Sequence, residues 1–304
     1  MVGNMRIISL FDCSLNSIKK YLGEIKNQGF DAIQISPLQR TKDDNSREWW
    51  MLYQPLGFDI GNRMGSMDDL KSLCDEAHKN GLYIIADVVV NHLASINNTG
   101  SLIPNPMCDK DILNNPDCWK ERRGIDNWND RYQVTHYCMG LPGLNPHNHL
   151  VQQKIINMLN TYISCGVDGF RFDAAKSIAL PEEGCDFFKN ITFSMNKWLP
   201  IIYGEVLFSD KDLIQKYARY MKVLTNCDAY NKEDVIRYVE NKDSYMSSDL
   251  GYTKHVSVYD INCWYNGLAL YFPNTLYYAR NYSNDWNAWR SNEVKNANFK
   301  LVRK

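Results

Sequence analysis

The 304-residue sequence lacks several features that would indicate its class at once. Its nine cysteines form no CxxC pair, and it has no internal repeat or low-complexity segment. Its 34 lysines and arginines balance 35 aspartates and glutamates, so no excess of positive charge favours a nucleic acid as partner. An odd number of scattered cysteines favours free thiols in a reducing compartment and argues against a disulfide framework.

Long hydrophobic runs are also missing. The longest apolar stretch, residues 82–90, is interrupted by Asp87 and is far shorter than the ~18 residues that suggest a membrane span. The apolar run before Asp12 is shorter than the ~7–15 residues at the core of a secretory signal. We therefore expect a protein that is not in a membrane and is cytoplasmic, or secreted if a leader has been removed.

What the sequence has in abundance is aromatic side chains and alternating secondary structure. Its 19 Tyr, 11 Phe and 8 Trp offer flat apolar faces with polar tips, which suit sugar rings as well as protein cores. Short apolar strands alternate with amphipathic helices, as in parallel β/α proteins. The predicted strands are residues 6–11, 31–37, 82–90, 169–173, 200–206, 221–224, 255–259 and 275–280. The predicted helices are residues 17–28, 66–79, 149–164, 211–220 and 232–241, with a last helix from about 292.

This alternation predicts a (β/α)8 TIM barrel formed by residues 1–91 and 146–304. Residues 92–145 are rich in Asn, Pro, Asp and Trp and show little periodicity, and they are too long for an ordinary connection. We predict that they form a small lobe inserted after the third strand.

The segment GVDGFRFDAAKS (166–177) predicts a short strand that delivers Arg171 and Asp173 on one face and Phe170 and Phe172 on the other. A guanidinium beside a carboxylate favours the ionised acid at low pKa, which suits a nucleophile. Arg171 and Asp173 could equally be a plain ion pair at a sheet edge. The rest of the sequence has to distinguish a catalytic role from a structural one.

Three acids mark the carboxyl ends of predicted strands: Asp173 the fourth, Glu205 the fifth and Asp260 the seventh. Catalytic groups of a parallel barrel lie at the carboxyl ends of its strands. A pair of carboxylates that flanks a glycosidic bond is the equipment of glycoside hydrolysis. The three acids therefore predict an active site at the barrel mouth.

Several ordered motifs point to one family. They are NSIKKYLGEIKNQGFDAIQISPLQ (16–39), WWMLYQP (49–55), IGNR (60–63), DVVVNH (87–92), DRYQVT (130–135), GFRFDAAK (169–176) and GEV (204–206). In these motifs, which run over nearly the whole chain, the sequence resembles the α-amylase family of retaining glycoside hydrolases, and most of all its bacterial α-amylases.

The resemblance implies hydrolysis of internal α-1,4-glucosidic bonds in starch, glycogen or maltooligosaccharides. It implies that Asp173 is the nucleophile, that Glu205 donates and then accepts a proton, and that Asp260 stabilises the transition state. It implies an α-glucan as the partner and suggests no protein partner. The implied substrate-binding residues are Trp50, Tyr53, Gln54, His92, Arg171, Lys176 and Tyr259.

The sequence departs from the family pattern at several positions. Tyr259 and Ser177 each stand where the family usually has His, and Val258 stands where chloride-dependent members have Asn, so we expect no chloride site. The family's structural calcium would use Asn91, but Gly143 replaces an expected carboxylate ligand, so calcium binding should be weak. The carboxyl-terminal β-sandwich typical of these enzymes is expected to be absent.

These departures keep two alternatives open. The protein could be a glucan-binding protein that has lost efficient catalysis. It could also be a member of the same family that transfers glycosyl groups to sugars in place of water.

Overall fold

A closed barrel of eight parallel strands forms the centre of the molecule. The computed structural model describes residues 5–97, 100–207, 210–225, 230–241, 244–247, 252–255, 274–280 and 286–300. The barrel strands are β1 (Arg6–Phe11), β2 (Ala32–Ile35), β3 (Tyr83–Val88), β4 (Gly169–Phe172), β5 (Ile201–Glu205), β6 (Lys222–Leu224), β7 (Val235–Asn241) and β8 (Asn274–Arg280). Each strand pairs in parallel with the next in sequence, and β8 pairs with β1. The predicted TIM barrel is confirmed.

Helices and short strands connect the barrel strands. The helices are α1 (Leu15–Ile18), α2 (Leu22–Asn27), α3 (Met67–Lys79), α4 (Lys110–Leu113), α5 (Arg131–His136), α6 (His149–Ser164), α7 (Phe187–Phe193), α8 (Lys211–Tyr217) and α9 (Asn292–Lys300). The other strands are Gln39–Thr41 with Pro55–Ile60, Glu121–Gly124 with Tyr137–Cys138, and Ser244–Ser247 with Tyr252–His255.

Helix α3 shows how local sequence sets an element. Ser66 Oγ accepts a hydrogen bond from the Asp69 N–H, and the Asp69 carboxylate accepts one from the Ser66 N–H, which is a capping box. The buried face of the helix carries Leu70, Leu73, Cys74 and Ala77. This spacing of three and four residues places them on one side of the helix, against the barrel.

Alternation along the strands divides the apolar core into two layers. The smaller layer lies inside the barrel and consists of Met5, Ile7, Ala32, Ile85, Ile201, Tyr203, Leu207, Leu224, Ile236 and Leu276. The larger layer lies between strands and helices and includes Phe170 and Phe172. Arg171, between them in sequence, consequently points to the barrel interior. Each fully buried large apolar side chain contributes about 1.5–3 kcal/mol.

The predicted lobe, residues 92–145, contains α4, α5 and the short strands Glu121–Gly124 and Tyr137–Cys138. Its first part is tied to the strand Pro55–Ile60, since the Ala94 N–H donates to the Pro55 carbonyl at 2.7 Å and the Asp109 N–H to the Leu56 carbonyl at 2.7 Å. Its status as a separate domain with these boundaries stays a prediction.

The seventh barrel strand and the helix predicted before it differ from the prediction. Residues 232–241, predicted as a helix, form a single 3₁₀ turn (Lys232–Asp234) followed by strand β7. The prediction was wrong because the run VIRYV (235–239) is β-branched and aromatic, which favours a strand over a helix. The predicted seventh strand, 255–259, is therefore not the seventh barrel strand. His255 ends a strand antiparallel to Ser244–Ser247, and residues 256–259 lie outside the described residues.

Seven cysteines lie in the described ranges, and all seven are free and buried, as the sequence predicts: Cys13, Cys74, Cys108, Cys118, Cys138, Cys165 and Cys185. Cys227 and Cys263 lie outside those ranges. None of the helices in the described part of the chain has the length and apolar character that crossing a membrane requires.

Candidate active site

Arg171 lies at the centre of a buried group of charged side chains. Its Nη1 atom is 3.0 Å from Oδ1 of Asp87 and 2.8 Å from Oδ1 of Asp173. Its Nη2 atom is 2.9 Å from Oε1 of Glu205. The most exposed of these side chains, Asp173, is only 12% exposed. One guanidinium thus joins three carboxylates, and we call this group the carboxylate cluster.

Three neighbouring strands deliver the cluster at their carboxyl ends. Asp87 on β3 is paired in register with Arg171 on β4. Asp173 follows the last residue of β4, and its N–H donates to the Val88 carbonyl at 3.0 Å. Glu205 is the last residue of β5. The cluster therefore lies at the barrel mouth, where the βα connections open.

The residue after Asp173 has a strained backbone. Ala174 has φ 48° and ψ 34°, in the left-handed region, which costs a residue with a Cβ atom about 1–2 kcal/mol. In this conformation the Ala174 N–H donates to Oε2 of Glu205 at 3.0 Å. Both carboxyl oxygens of Glu205 are therefore held, one by Arg171 and one by the backbone after Asp173.

Gly204, in the GEV motif, allows this close approach. A Cβ atom at Gly204 would lie 2.7 Å from Cβ of Ala175 and 2.7 Å from Sδ of Met221. Any larger residue would push β5 away from the turn that follows Asp173. Gly204 therefore fixes the distance between the two predicted catalytic acids.

The carboxylate cluster has more negative than positive charge. Burial, together with the charges of Glu205 and Asp87, raises the pKa of Asp173 to about 7, although Arg171 acts to lower it. Burial is also the main cause of the raised pKa of Asp87. The predicted low pKa of Asp173 is wrong, because one guanidinium shared by three buried carboxylates offsets only part of their desolvation and repulsion.

Asp87 is a member of the cluster that sequence reasoning missed. Its side chain is completely buried, and it accepts a hydrogen bond from Tyr53 Oη at 2.8 Å as well as those from Arg171. The available signal was a lone acid within the apolar strand at 82–90. Burying such a charge without partners is costly, so its presence indicates a partner.

Aromatic side chains surround the predicted residue Tyr53. Its ring stacks on Phe11 with centroids 6.1 Å apart, and Trp49 meets it edge-on at 6.2 Å. Arg171 Cζ lies 5.9 Å from the Tyr53 centroid. Trp49 is 41% exposed, and Trp50 in the same turn is half-buried. Tyr53 therefore joins the cluster to a partly exposed aromatic surface.

His92 is buried beside this surface. Its Nε2 atom is 2.9 Å from the Tyr53 carbonyl oxygen, which can only accept, so Nε2 carries the proton. Its Nδ1 atom has no hydrogen-bond partner among the described residues. Burial lowers the pKa of His92 to about 4, so the ring is neutral and Nδ1 is free to accept a hydrogen bond.

Gln54 and Lys176 lie in different surroundings. Oε1 of Gln54 accepts hydrogen bonds from the N–H and Oγ of Ser95, both at 3.2 Å, so this buried side chain holds the beginning of the predicted lobe. Lys176 Nζ lies 5.2 Å from the ring centroid of Trp128, a residue of the predicted lobe. Burial lowers the pKa of Lys176.

Asn91, the predicted metal ligand, has a lysine as its partner. Lys120 Nζ donates to Asn91 Oδ1 at 2.9 Å and to the Ser177 carbonyl at 2.6 Å. Burial lowers the pKa of Lys120 to about 7, and the amino group has the two protons these bonds need in either protonation state. Sequence reasoning missed Lys120. The signal available in the sequence was Gly143, where the absence of an expected carboxylate indicates that another group contacts Asn91.

The remaining predicted site residues cannot be placed. Asp260 and Tyr259, like Val258 of the chloride prediction, lie outside the described residues. The assignment of Asp260 to the end of the seventh barrel strand is wrong, since that strand is β7 (Val235–Asn241). Its role as the third acid stays a prediction.

The cluster joins two acids on adjacent strands to a basic residue at the mouth of a barrel. Two close carboxyl groups, one held by a guanidinium and by a neighbouring backbone N–H, can divide the work of attack and proton transfer. Among the described residues, no three His, Cys, Asp or Glu side chains gather closely enough to hold a metal ion.

Comparisons with known proteins show the family and the fold of the chain. Residues 12–255 match the family model described as "Alpha amylase, catalytic domain". A curated α-amylase from Clostridium acetobutylicum is 40% identical over 230 residues, which cover 71% of this chain. The chain spans only 30% of that relative's length.

Solved structures are similar in fold. An α-amylase from Malbranchea cinnamomea superposes with a TM-score of 0.75 at 17% identity, over 98% of this chain and 77% of that one. A mutant of α-amylase I from Eisenia fetida, solved in a complex with maltohexaose, gives a TM-score of 0.69 at 19% identity, over 95% of this chain and 70% of that one.

Proposed function

Since the chain belongs to the α-amylase family, we propose that it is a retaining glycoside hydrolase that cleaves internal α-1,4-glucosidic bonds of starch, glycogen or maltooligosaccharides. Asp173 is the nucleophile in this proposal, and Glu205 is the proton donor and then the base. The α-glucan is proposed because relatives carry the name α-amylase and one structural neighbour was solved with maltohexaose.

The observation that carries the proposal is the shared guanidinium. Arg171 contacts Asp173 at 2.8 Å and Glu205 at 2.9 Å through its two Nη atoms. Two carboxyl groups on one guanidinium are necessarily close. Retaining glycosidases keep their two carboxyls about 5–5.5 Å apart, whereas inverting ones leave about 6.5–9.5 Å for a water. The proposal of retention therefore expects the shorter of these two spacings between Asp173 and Glu205.

In the first step an oxygen of Asp173 attacks the anomeric carbon while the bond to the leaving glycosidic oxygen breaks. The proton of Glu205 passes to that oxygen, and a glycosyl ester on Asp173 results. Oε2 of Glu205 accepts a hydrogen bond from the Ala174 N–H and Oε1 forms an ion pair with Arg171, so the incoming sugar must displace one of these two contacts. Arg171 keeps Asp173 in place as its charge is consumed.

In the second step Glu205 removes a proton from water, and the water oxygen attacks the anomeric carbon. The ester bond to Asp173 breaks, Asp173 regains its charge, and Glu205 regains its proton. Two displacements at one carbon leave its configuration unchanged. Asp260 is proposed to stabilise the positive charge that develops on the sugar in both steps.

The residues around the cluster are proposed to bind the sugar chain. Tyr53 offers its ring to a sugar face, and Trp50 lines a neighbouring position. His92 accepts a hydrogen bond from a sugar hydroxyl at Nδ1, the ring atom that has no hydrogen-bond partner among the described residues. Gln54, Lys176 and Tyr259 complete the proposed set, with Gln54 acting from its amide nitrogen, since its oxygen is bound to Ser95.

The test is hydrolysis of maltoheptaose by the wild type and by Glu205→Gln, with products resolved by chromatography and anomers by NMR. The wild type should release the α-anomer first. Glu205→Gln should lose about 10²–10⁴-fold in kcat, because it cannot transfer a proton. Glu76→Gln, on the exposed side of α3, is the matched control and should keep full activity.

Three results would overturn parts of the proposal. Release of the β-anomer would exclude retention. Products longer than the substrate would show that the protein transfers glycosyl groups to sugars. Binding of maltoheptaose by the wild type without turnover would replace hydrolysis with a glucan-binding function.

A further inference from the structure

Lys120 is a buried lysine that the proposed reaction does not use. It is 7% exposed, and its amino group lies between two oxygens from different parts of the chain. One is Oδ1 of Asn91, which follows β3, at 2.9 Å, and the other is the carbonyl of Ser177, at 2.6 Å. Ser177 ends the turn that follows Asp173. The lysine thereby ties the predicted lobe to two barrel connections.

Calcium, which the resemblance implies at Asn91, does not fit this position. Calcium takes six to eight oxygen ligands, with carboxylates among them. The position offers one amide oxygen and one carbonyl oxygen, and both already accept hydrogen bonds from Lys120. The carboxylate that the family would supply is replaced by Gly143, which has no side chain.

Gly143 also determines whether the lysine can be there. The Lys120 N–H donates to the Gly143 carbonyl at 2.8 Å, so the two residues are direct neighbours. A Cβ atom at Gly143 would lie 2.8 Å from Cδ of Lys120 and 3.3 Å from its Cβ and Cγ. A carboxylate-bearing residue at 143 and the present path of Lys120 therefore exclude each other.

We propose that the amino group of Lys120 replaces the structural calcium ion, and that Gly143 and Lys120 form one coupled pair. The lysine donates hydrogen bonds to Asn91 and Ser177 where a metal would coordinate them. The connection after Asp173 is thus held by the chain itself, and folding requires no metal. Thermal melting measures stability with and without calcium and needs no substrate, so the test of this proposal is independent of the proposed reaction.

The first experiment compares melting temperatures in excess EDTA and in millimolar CaCl2. The wild type should melt at the same temperature in both. Lys120→Met keeps the length of the side chain and removes the donors, which leaves two buried oxygens without partners. This variant should melt about 2–5 °C lower than the wild type and should not respond to calcium.

The second experiment tests the coupling. Gly143→Asp alone should lower the melting temperature, since Asp meets the stem of Lys120. The double variant Lys120→Ala/Gly143→Asp removes that clash and adds a carboxylate beside Asn91. It should melt higher in CaCl2 than in EDTA, and the effects of the two changes should not add.

A wild type that melts higher in calcium than in EDTA would overturn the proposal, and this result needs no variant to fold. The proposal would also be overturned if Lys120→Met had the melting temperature of the wild type, because the hydrogen bonds of the lysine would then contribute nothing to stability. The coupled pair would be excluded if the double variant melted at the same temperature in CaCl2 and in EDTA, and if its change in melting temperature equalled the sum of the changes in the single variants.

Discussion

Arg171 and Lys120 are both buried basic residues that hold oxygens from separate segments, and they differ in what those oxygens are. Arg171 contacts three carboxylates, whereas Lys120 contacts an amide oxygen and a peptide carbonyl. Both acceptors of Lys120 are neutral and its amino group can donate to both in either protonation state, so the contacts of the lysine fix geometry. The carboxylates around Arg171 outnumber their counter-ion, and burial together with this excess raises the pKa of Asp173 to about 7, in the range that suits acid–base chemistry. A buried basic residue thus holds the structure together at Lys120 and serves the proposed chemistry at Arg171.

The largest difference should appear when each basic residue is replaced by methionine. Arg171→Met leaves three buried carboxylates without their counter-ion and should lower the free energy of unfolding by about 3–5 kcal/mol. Lys120→Met leaves two neutral oxygens and should cost less, about 1–3 kcal/mol. Urea unfolding of both variants measures this. Equal losses would remove the distinction between the two sites.

The two sites also depend on glycines in different ways. Gly204→Ala places a methyl group 2.7 Å from Ala175 Cβ, in the turn behind the nucleophile, and should cost about 1–3 kcal/mol as well as most of kcat. Gly143→Ala places a methyl group 2.8 Å from Cδ of Lys120, and it should reduce stability with little change in kcat. Gly124→Ala, with nothing within 4 Å, is the control. A Gly204→Ala variant with normal kcat would show that the spacing of the two acids is not critical.

The smallest effect is expected in the pH dependence. Folding raises the pKa of Asp173 from 3.8 to about 7, so below pH 7 the folded protein holds a proton that the nucleophile must lose. kcat/KM for maltoheptaose should therefore rise with pH up to about 7, by up to tenfold per pH unit. The same group contributes stability that is present at low pH and lost as pH rises from about 4 to 7. A kcat/KM that is flat between pH 5 and 7 would contradict this.

The barrel strands other than β7, and the two acids at the carboxyl ends of β4 and β5, could be predicted from the sequence. Their strands are apolar, are separated by strong helical patterns, and carry motifs such as GFRFDAAK whose alternation fixes the face of each side chain. The proximity of Asp173 and Glu205 follows from adjacent parallel strands. These features are local, and local patterns are what a sequence displays.

The errors concern properties that arise only after folding. The raised pKa of Asp173 comes first from its burial and then from the charges of Glu205 and Asp87 on other strands, so the pair Arg171 and Asp173 alone suggested the wrong direction. The helix predicted at 232–241 is an exception, because its β-branched and aromatic run already favours the strand that pairs with β6 and β8. Lys120 is far in sequence from Asn91 and Ser177, and no motif joins them.

The most direct test of the central claim is to trap the glycosyl ester on Asp173. A fluorinated glucosyl fluoride, which forms the ester faster than water removes it, is incubated with the protein, and peptides are analysed by mass spectrometry. The proposal predicts one added fluoroglucosyl group on the peptide that contains Asp173, and none in Asp173→Asn. An unlabelled protein that still hydrolyses maltoheptaose, or a label on another acid, would contradict it.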